Sequence, residues 1–308
     1  MPDSDAWEAI LGGDASGTAL VVDCSAGMRR ELDFAELEAR IRSGYRYLRT
    51  KLLAGGRGER LSGDAYVSRW SEDIRRAGNP VVAVFGSRVG SVYAAAIADS
   101  ISRWQQRPAV ILFDPQAAGI ELLNEEFRRE LTSLSSLFSA DEIERARKIG
   151  HKVTGPATRD VAAVAAEIFE DYLEMITAAY ERVGLGDPRD SELTEPFRSY
   201  ISLISAASQI DQDCVWERST AITSADYPDV LYGEFLNGPR RIKFDVRHAD
   251  LFRSDSVTAM ISDLLQPSID GVFRRSAPLS VTARREICQC RRPLVCLLPV
   301  QVTCVIPC

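Results

Sequence analysis

Two glycines four residues apart, Gly86 and Gly90, bracket a tight turn between an apolar run, VVAVF (81–85), and an alanine-rich helical run, SVYAAAIADSISRW (91–104). A strand, a G-x-nucleophile-x-G turn and a helix together hold a nucleophile on strained backbone, and small residues two before and two after it prevent clashes. The residue at the centre here is Arg88, so the turn reads G-S-R-V-G. A guanidinium is always protonated and offers only donors, so it cannot attack a carbonyl carbon. Ser87 and Ser91 bring hydroxyls but sit out of register, because Phe85 and Val89 flank Ser87 and no small residue lies two beyond Ser91. Either serine could stand in for the missing hydroxyl only in a distorted turn.

Other chemistry-bearing residues lie at strand ends. Asp114 closes the apolar run AVILF (109–113), and His248, one of two histidines, stands between IKFDV (242–246) and a helical run from about residue 254 to 265. Asp114 is either an acid held at a sheet edge or the polar end of a buried strand, and Asp226 in TSADYP is the substitute acid. His248 is either a proton carrier or an incidental loop histidine. His151, between two helical runs, reads as a surface residue, and Cys24 reads as a small buried hydrophobe. Glycine-flanked turns also occur in nucleotide-binding proteins, but GSRVGS matches neither G-x-G-x-x-G nor G-x4-G-K-[ST].

The elements that must position these residues follow from periodicity. TALVVD (18–23) reads as a strand ending in the small-residue loop Cys24-Ser25-Ala26-Gly27. The spacing predicts one helix from Asp33 to about Lys51 and another over 64–77. Continuous apolar strands at 81–85 and 109–113 around a helix form a βαβ unit, which requires a parallel sheet covered on both faces. From about 118 to 212, charged amphipathic helical segments follow each other without a strand and read as a helical insertion; STAITSA (219–225) then resumes the strand pattern.

Composition sets outer bounds. The 308 residues are 45% apolar and 26% charged, ordinary for a globular chain. A net charge of −7 without a clustered basic face argues against a nucleic-acid partner. No segment reaches the roughly 20 apolar residues of a membrane helix, and the acidic start MPDSDAWEAI is unlike a secretory signal, so a cytoplasmic location and no membrane association are expected. Five of the seven cysteines crowd into the last 21 residues with the spacing C-x-C-x5-C-x7-C-x3-C, which lacks the paired knuckles of structural zinc sites. The expected organisation is one domain over 1–275, then an atypical tail over 276–308 whose Cys/Pro/Arg mixture resembles a shifted reading frame.

Taken together, residues from about 18 to 265 resemble the thioesterases of nonribosomal peptide and polyketide assembly lines, which are α/β-hydrolases. The quoted resemblances are the SAG loop after ALVVD, the segment YVSRWSEDIRRAGNPVVAVFGSRVGSVYAAAIADSI, and VRHADLFRSDSVTAMISDLL near the C-terminal end. The resemblance implies a mostly parallel sheet with helices on both faces and a helical lid over about 118–212. It places His248 on the triad histidine and Asp114, 26 residues after Arg88, on the triad aspartate. It assigns oxyanion-hole amides to Ala26 or Gly27 and to Val89. The implied chemistry is acyl transfer, in which the histidine takes the nucleophile's proton, the aspartate fixes the tautomer and two N–H groups stabilise the oxyanion.

The resemblance further implies an acyl or peptidyl carrier protein as partner in antibiotic-type biosynthesis, and no cofactor beyond the phosphopantetheine on which that partner carries the substrate. Arg88 leaves three outcomes open: hydrolysis through water or a rescuing serine, a non-catalytic acyl- or carrier-binding module of the same fold, or a nucleotide-binding α/β protein.

Overall fold

Residues in the central strands alternate between two apolar layers, as a pleated sheet covered on both faces demands. Leu20, Val22, Val84 and Leu112 face one layer; Ala19, Val21, Ala83, Phe85, Ile111 and Phe113 face the other. The computed structural model describes residues 4–13, 17–24, 32–51, 61–135, 138, 142, 144, 160–184, 194–228 and 240–266. They belong to a compact unit, Met1–Gln266. The Cys-rich tail lies outside the described residues.

The strands are β1 (Trp7–Leu11), β2 (Thr18–Val22), β3 (Arg46–Thr50), β4 (Val81–Ser87), β5 (Ala109–Phe113), β6 (Thr220–Thr223) and β7 (Arg240–Lys243). They form one seven-stranded sheet in the order β1-β3-β2-β4-β5-β6-β7. Every neighbouring pair is parallel except β1 with β3. One face carries α1 (Phe34–Ile41), a 3-10 turn (His248–Arg253) and α8 (Asp255–Leu265). The other carries α2 (Gly63–Ala77), α3 (Gly90–Ile101) and the insertion, which holds α4 (Ile120–Ser133), α5 (Val161–Val183), α6 (Glu195–Ala207) and α7 (Gln212–Trp216). No strand interrupts the insertion among the described residues. Nor is any described helix long and apolar enough to cross a membrane.

Two expectations need correction. The predicted helix over 33–51 stops at Ile41, and its second half is the buried strand β3. The Glu38 carboxylate ends the helix by accepting from the Ser43 hydroxyl at 2.6 Å and the Gly44 N–H at 2.9 Å. Arg42 (φ 49°) and Gly44 (φ 70°) turn through left-handed backbone, after which Tyr47 and Leu48 bury on opposite faces of the sheet. The apparent helical spacing continued across the break only because these apolar residues fell in phase with α1. The second is an omission: Trp7–Leu11, to which the sequence reading gave no element, adds an antiparallel edge strand to β3, while the strand expected over 18–23 is β2.

The insertion is fastened to α3. The Tyr93 hydroxyl donates to the Leu203 carbonyl at 2.7 Å, and the Trp216 indole donates to the Ser91 carbonyl at 3.0 Å. Inside the insertion Tyr172 packs on Phe197 with ring centroids 4.6 Å apart.

Candidate active site

The turn after β4 has the geometry that its glycines predict. Arg88 takes left-handed backbone (φ 52°), which a bulky residue adopts only where its surroundings impose it. A Cβ on Gly86 would sit 2.8 Å from the Gly90 carbonyl oxygen and 2.8 Å from Ser91 Cα, and one on Gly90 would sit 2.5 Å from the Val22 carbonyl oxygen. The room a side chain would need at either position is therefore taken by the protein's own backbone. Gly86 lets β4 approach α3 this closely and Gly90 lets α3 approach β2, so position 88 is the centre of the turn. Ser87 is the last residue of β4 and lines one cavity. Ser91 is fully buried in the first turn of α3, and its hydroxyl has no hydrogen-bond partner among the described residues. Val89 caps α3 and is buried beside the turn; Ala26 and Gly27 lie outside the described residues.

Asp114 and His248 meet although 134 residues separate them. His248 Nδ1 lies 2.6 Å from Asp114 Oδ2. Asp114 follows directly on β5 in left-handed backbone (φ 43°) and is buried. The 3-10 turn that begins at His248 is anchored by Phe252, whose ring packs edge-on at 4.9 Å against both Phe113 and Phe34. The apolar residue next to the acid thus holds the turn that carries the histidine. Asp226, the substitute acid, does not reach the ring: its Oδ2 accepts the backbone N–H of His248 at 3.1 Å. Ser224 bonds the Asp114 carboxylate twice, through its N–H to Oδ1 and its hydroxyl to Oδ2, both at 2.7 Å. Sequence reading passed over this serine, since a single small polar residue at a strand end carries no distinctive signal.

Arg88 does not point at a vacancy. Its guanidinium binds Glu126 on α4 at 2.9 Å and reaches Glu125 at 3.5 Å, while Arg129 joins the same two carboxylates at 3.2 and 2.8 Å. Glu126 is 1% exposed. Its burial pushes the carboxyl above the ordinary carboxylate range, against the lowering effect of Arg88 and Arg129. Cys24, close to Gly90, is buried as expected, and its burial drives the thiol well above its ordinary value, which disfavours the thiolate form that a nucleophile needs.

Two cavities open here. One of about 720 Å³ is lined by Cys24, Ser87, Arg88, Val89, Tyr200 and the charged face of α4. Another of about 910 Å³ is lined by His248, Asp226, Arg88 and residues 32–36. Arg88 lines both.

No known family profile and no curated protein matches the chain in sequence. Solved structures do match. A four-domain nonribosomal peptide synthetase bound to AMP and glycine superposes with a TM-score of 0.53 at 12% identity, over 84% of this chain and 20% of that one. The NocB thioesterase domain from the nocardicin cluster gives 0.49 at 13% identity, over 85% and 97%. A lipase-esterase related protein from Clostridium acetobutylicum gives 0.44 at 16% identity, over 84% and 98%. Such identities speak to fold alone, and with the parallel sheet, the turn after β4 and the helical insertion between β5 and β6, the chain has the α/β-hydrolase fold.

Proposed function

We propose that the protein is a thioesterase-like α/β-hydrolase that receives acyl or peptidyl chains from a carrier protein in specialised-metabolite assembly and forms no acyl-enzyme at its elbow. The observation that carries this reading is the pairing of a complete Asp114–His248 couple with an arginine at the centre of an otherwise intact nucleophile turn. The nonribosomal peptide synthetase among the structural neighbours supports the choice of substrate class. The phosphopantetheine would belong to the partner.

With a serine at the elbow, the hydroxyl oxygen would attack the thioester carbonyl, His248 would take its proton and pass it to the leaving thiol, and water would then release the acyl group. With Nδ1 engaged by Asp114, the ring nitrogen that acts as base is Nε2. Arg88 supplies no attacking atom, so His248 can draw a proton only from water or from a nucleophile on the substrate itself. The role of the natural chain is accordingly binding, with slow or absent turnover. The Val89 N–H, at the start of α3, would face the developing oxyanion, because the first N–H groups of a helix have no intrahelical acceptor.

The test is hydrolysis of short acyl thioesters by the natural chain and by Arg88→Ser. The variant is expected to turn over, and the natural chain to hold substrate without a burst of released thiol. Thioester hydrolysis by the natural chain that Arg88→Ser leaves unchanged would contradict the reading.

A further inference from the structure

Four consecutive residues at the end of β6 grip both members of the acid–histidine couple. Ser224 holds the Asp114 carboxylate through its N–H and its hydroxyl. The Ala225 N–H donates to the Val246 carbonyl at 2.8 Å, the Asp226 carboxylate accepts the His248 N–H, and the Tyr227 hydroxyl donates to the Pro115 carbonyl. One side of this segment therefore ties down Asp114–Pro115 and the other ties down Val246–His248. Ser224 is fully buried and Asp114 nearly so, so the two bonds between them are shielded from water, whereas the bond from the His248 N–H to Asp226 lies exposed.

We infer that Ser224 and Asp226 are positioning residues that set the register between the carboxylate and the imidazole, a role that rests on the reading of Asp114 and His248 as the proton-transfer couple. The physical case has two parts. Left-handed backbone at Asp114 is unfavourable for a residue with a Cβ and persists only when the surroundings over-determine it. A carboxylate has two oxygens and a free torsion; Oδ1 is occupied by the Ser224 N–H, and Oδ2 is shared by the Ser224 hydroxyl and His248 Nδ1. Removal of the hydroxyl leaves the torsion defined by one backbone bond and by the imidazole itself. The aspartate at 226 acts further out, by fixing the backbone from which the imidazole projects.

The direct test reads the imidazole and not the reaction. The chain has two histidines, so a His151→Gln background leaves His248 as the only source of an imidazole N–H signal. In the full-length chain the Nδ1 proton, held in a short bond to a carboxylate, should appear as a strongly downfield, slowly exchanging proton resonance. Ser224→Ala is expected to shift that resonance upfield or lose it to exchange, while Ser224→Thr, which keeps the hydroxyl, retains it. Asp226→Ala should broaden it, and Asp226→Asn, whose side-chain oxygen still accepts the His248 N–H, should preserve it. A resonance unchanged in both alanine variants overturns the inference, and so does its loss in the threonine variant as well as in the alanine one.

A kinetic arm separates this from the proposed function. In Arg88→Ser, adding Ser224→Ala should lower kcat about tenfold, or ~1.4 kcal/mol, with KM unchanged. If Arg88→Ser shows no turnover while the resonance responds as described, the functional reading fails and the positioning role stands. If turnover appears but both alanine variants leave resonance and kcat untouched, the positioning role fails alone.

Discussion

The edge of the sheet formed by β5, β6 and β7 and the turn between β4 and α3 lie side by side, yet only the first brings a carboxylate and an imidazole together. At the sheet edge the polar groups hold one another: Asp114 bonds His248 and Ser224, and Asp226 bonds the His248 backbone. At the turn the backbone has the same degree of definition, fixed by Gly86 and Gly90, but the side chain it presents is tied to Glu126 and Glu125 on the insertion. The contrast shows that the shape of an elbow is imposed by what flanks it. The close approach of β4, α3 and β2 sets the strained backbone, and the residue at the apex decides only what chemistry it serves.

The comparison can be broken most sharply from the histidine side. In the Arg88→Ser chain, adding His248→Ala is expected to reduce kcat on the order of 10²–10⁴-fold, the range for removing a positioned general base. Steady-state thioester hydrolysis measures it, and retention of activity would mean that the couple is structural. On the elbow side, Gly90→Ala drives a methyl to 2.5 Å from the Val22 carbonyl oxygen, a backbone atom that cannot move aside cheaply. A loss of about 1–3 kcal/mol in denaturant unfolding is expected, and a neutral outcome would show that the turn is looser than described.

A smaller effect probes the tie between elbow and insertion. Because burial raises the Glu126 carboxyl, this group stabilises the fold fully only below its unfolded-state value and loses that contribution as pH rises through the folded-state value. Gln at 126 mimics the protonated form at every pH. The melting temperature of Glu126→Gln minus that of the natural chain should thus be near zero in acid and become positive toward neutral pH. A difference that falls with rising pH would show that the ion pairs with Arg88 and Arg129 outweigh the cost of burial.

Local patterns made much of this legible. VVAVF, the two glycines and the alanine-rich helix read directly as a strand, turn and helix, and AVILF led to Asp114, because buried parallel strands are continuous apolar runs that end at a polar residue. His248 stood at a strand-to-helix junction, and the described structure brings it onto Asp114. What escaped was what depends on partners distant in sequence. β3 is a strand because β1 and β2 flank it, while RYLRT alone continues the apparent phase of α1. The pair of Arg88 with Glu126 joins residues 38 apart, the second on a generic charged helix of the insertion, and Ser224 matters only through an aspartate 110 residues earlier.

The central claim, an elbow in place with no nucleophile at its apex, is tested most directly by a serine-directed fluorophosphonate followed by peptide mapping. The natural chain should remain unlabelled, and Arg88→Ser should take one label at position 88 that His248→Ala suppresses. A label on Ser87 or Ser91 of the natural chain would contradict the account and move the nucleophile out of the register assigned to it.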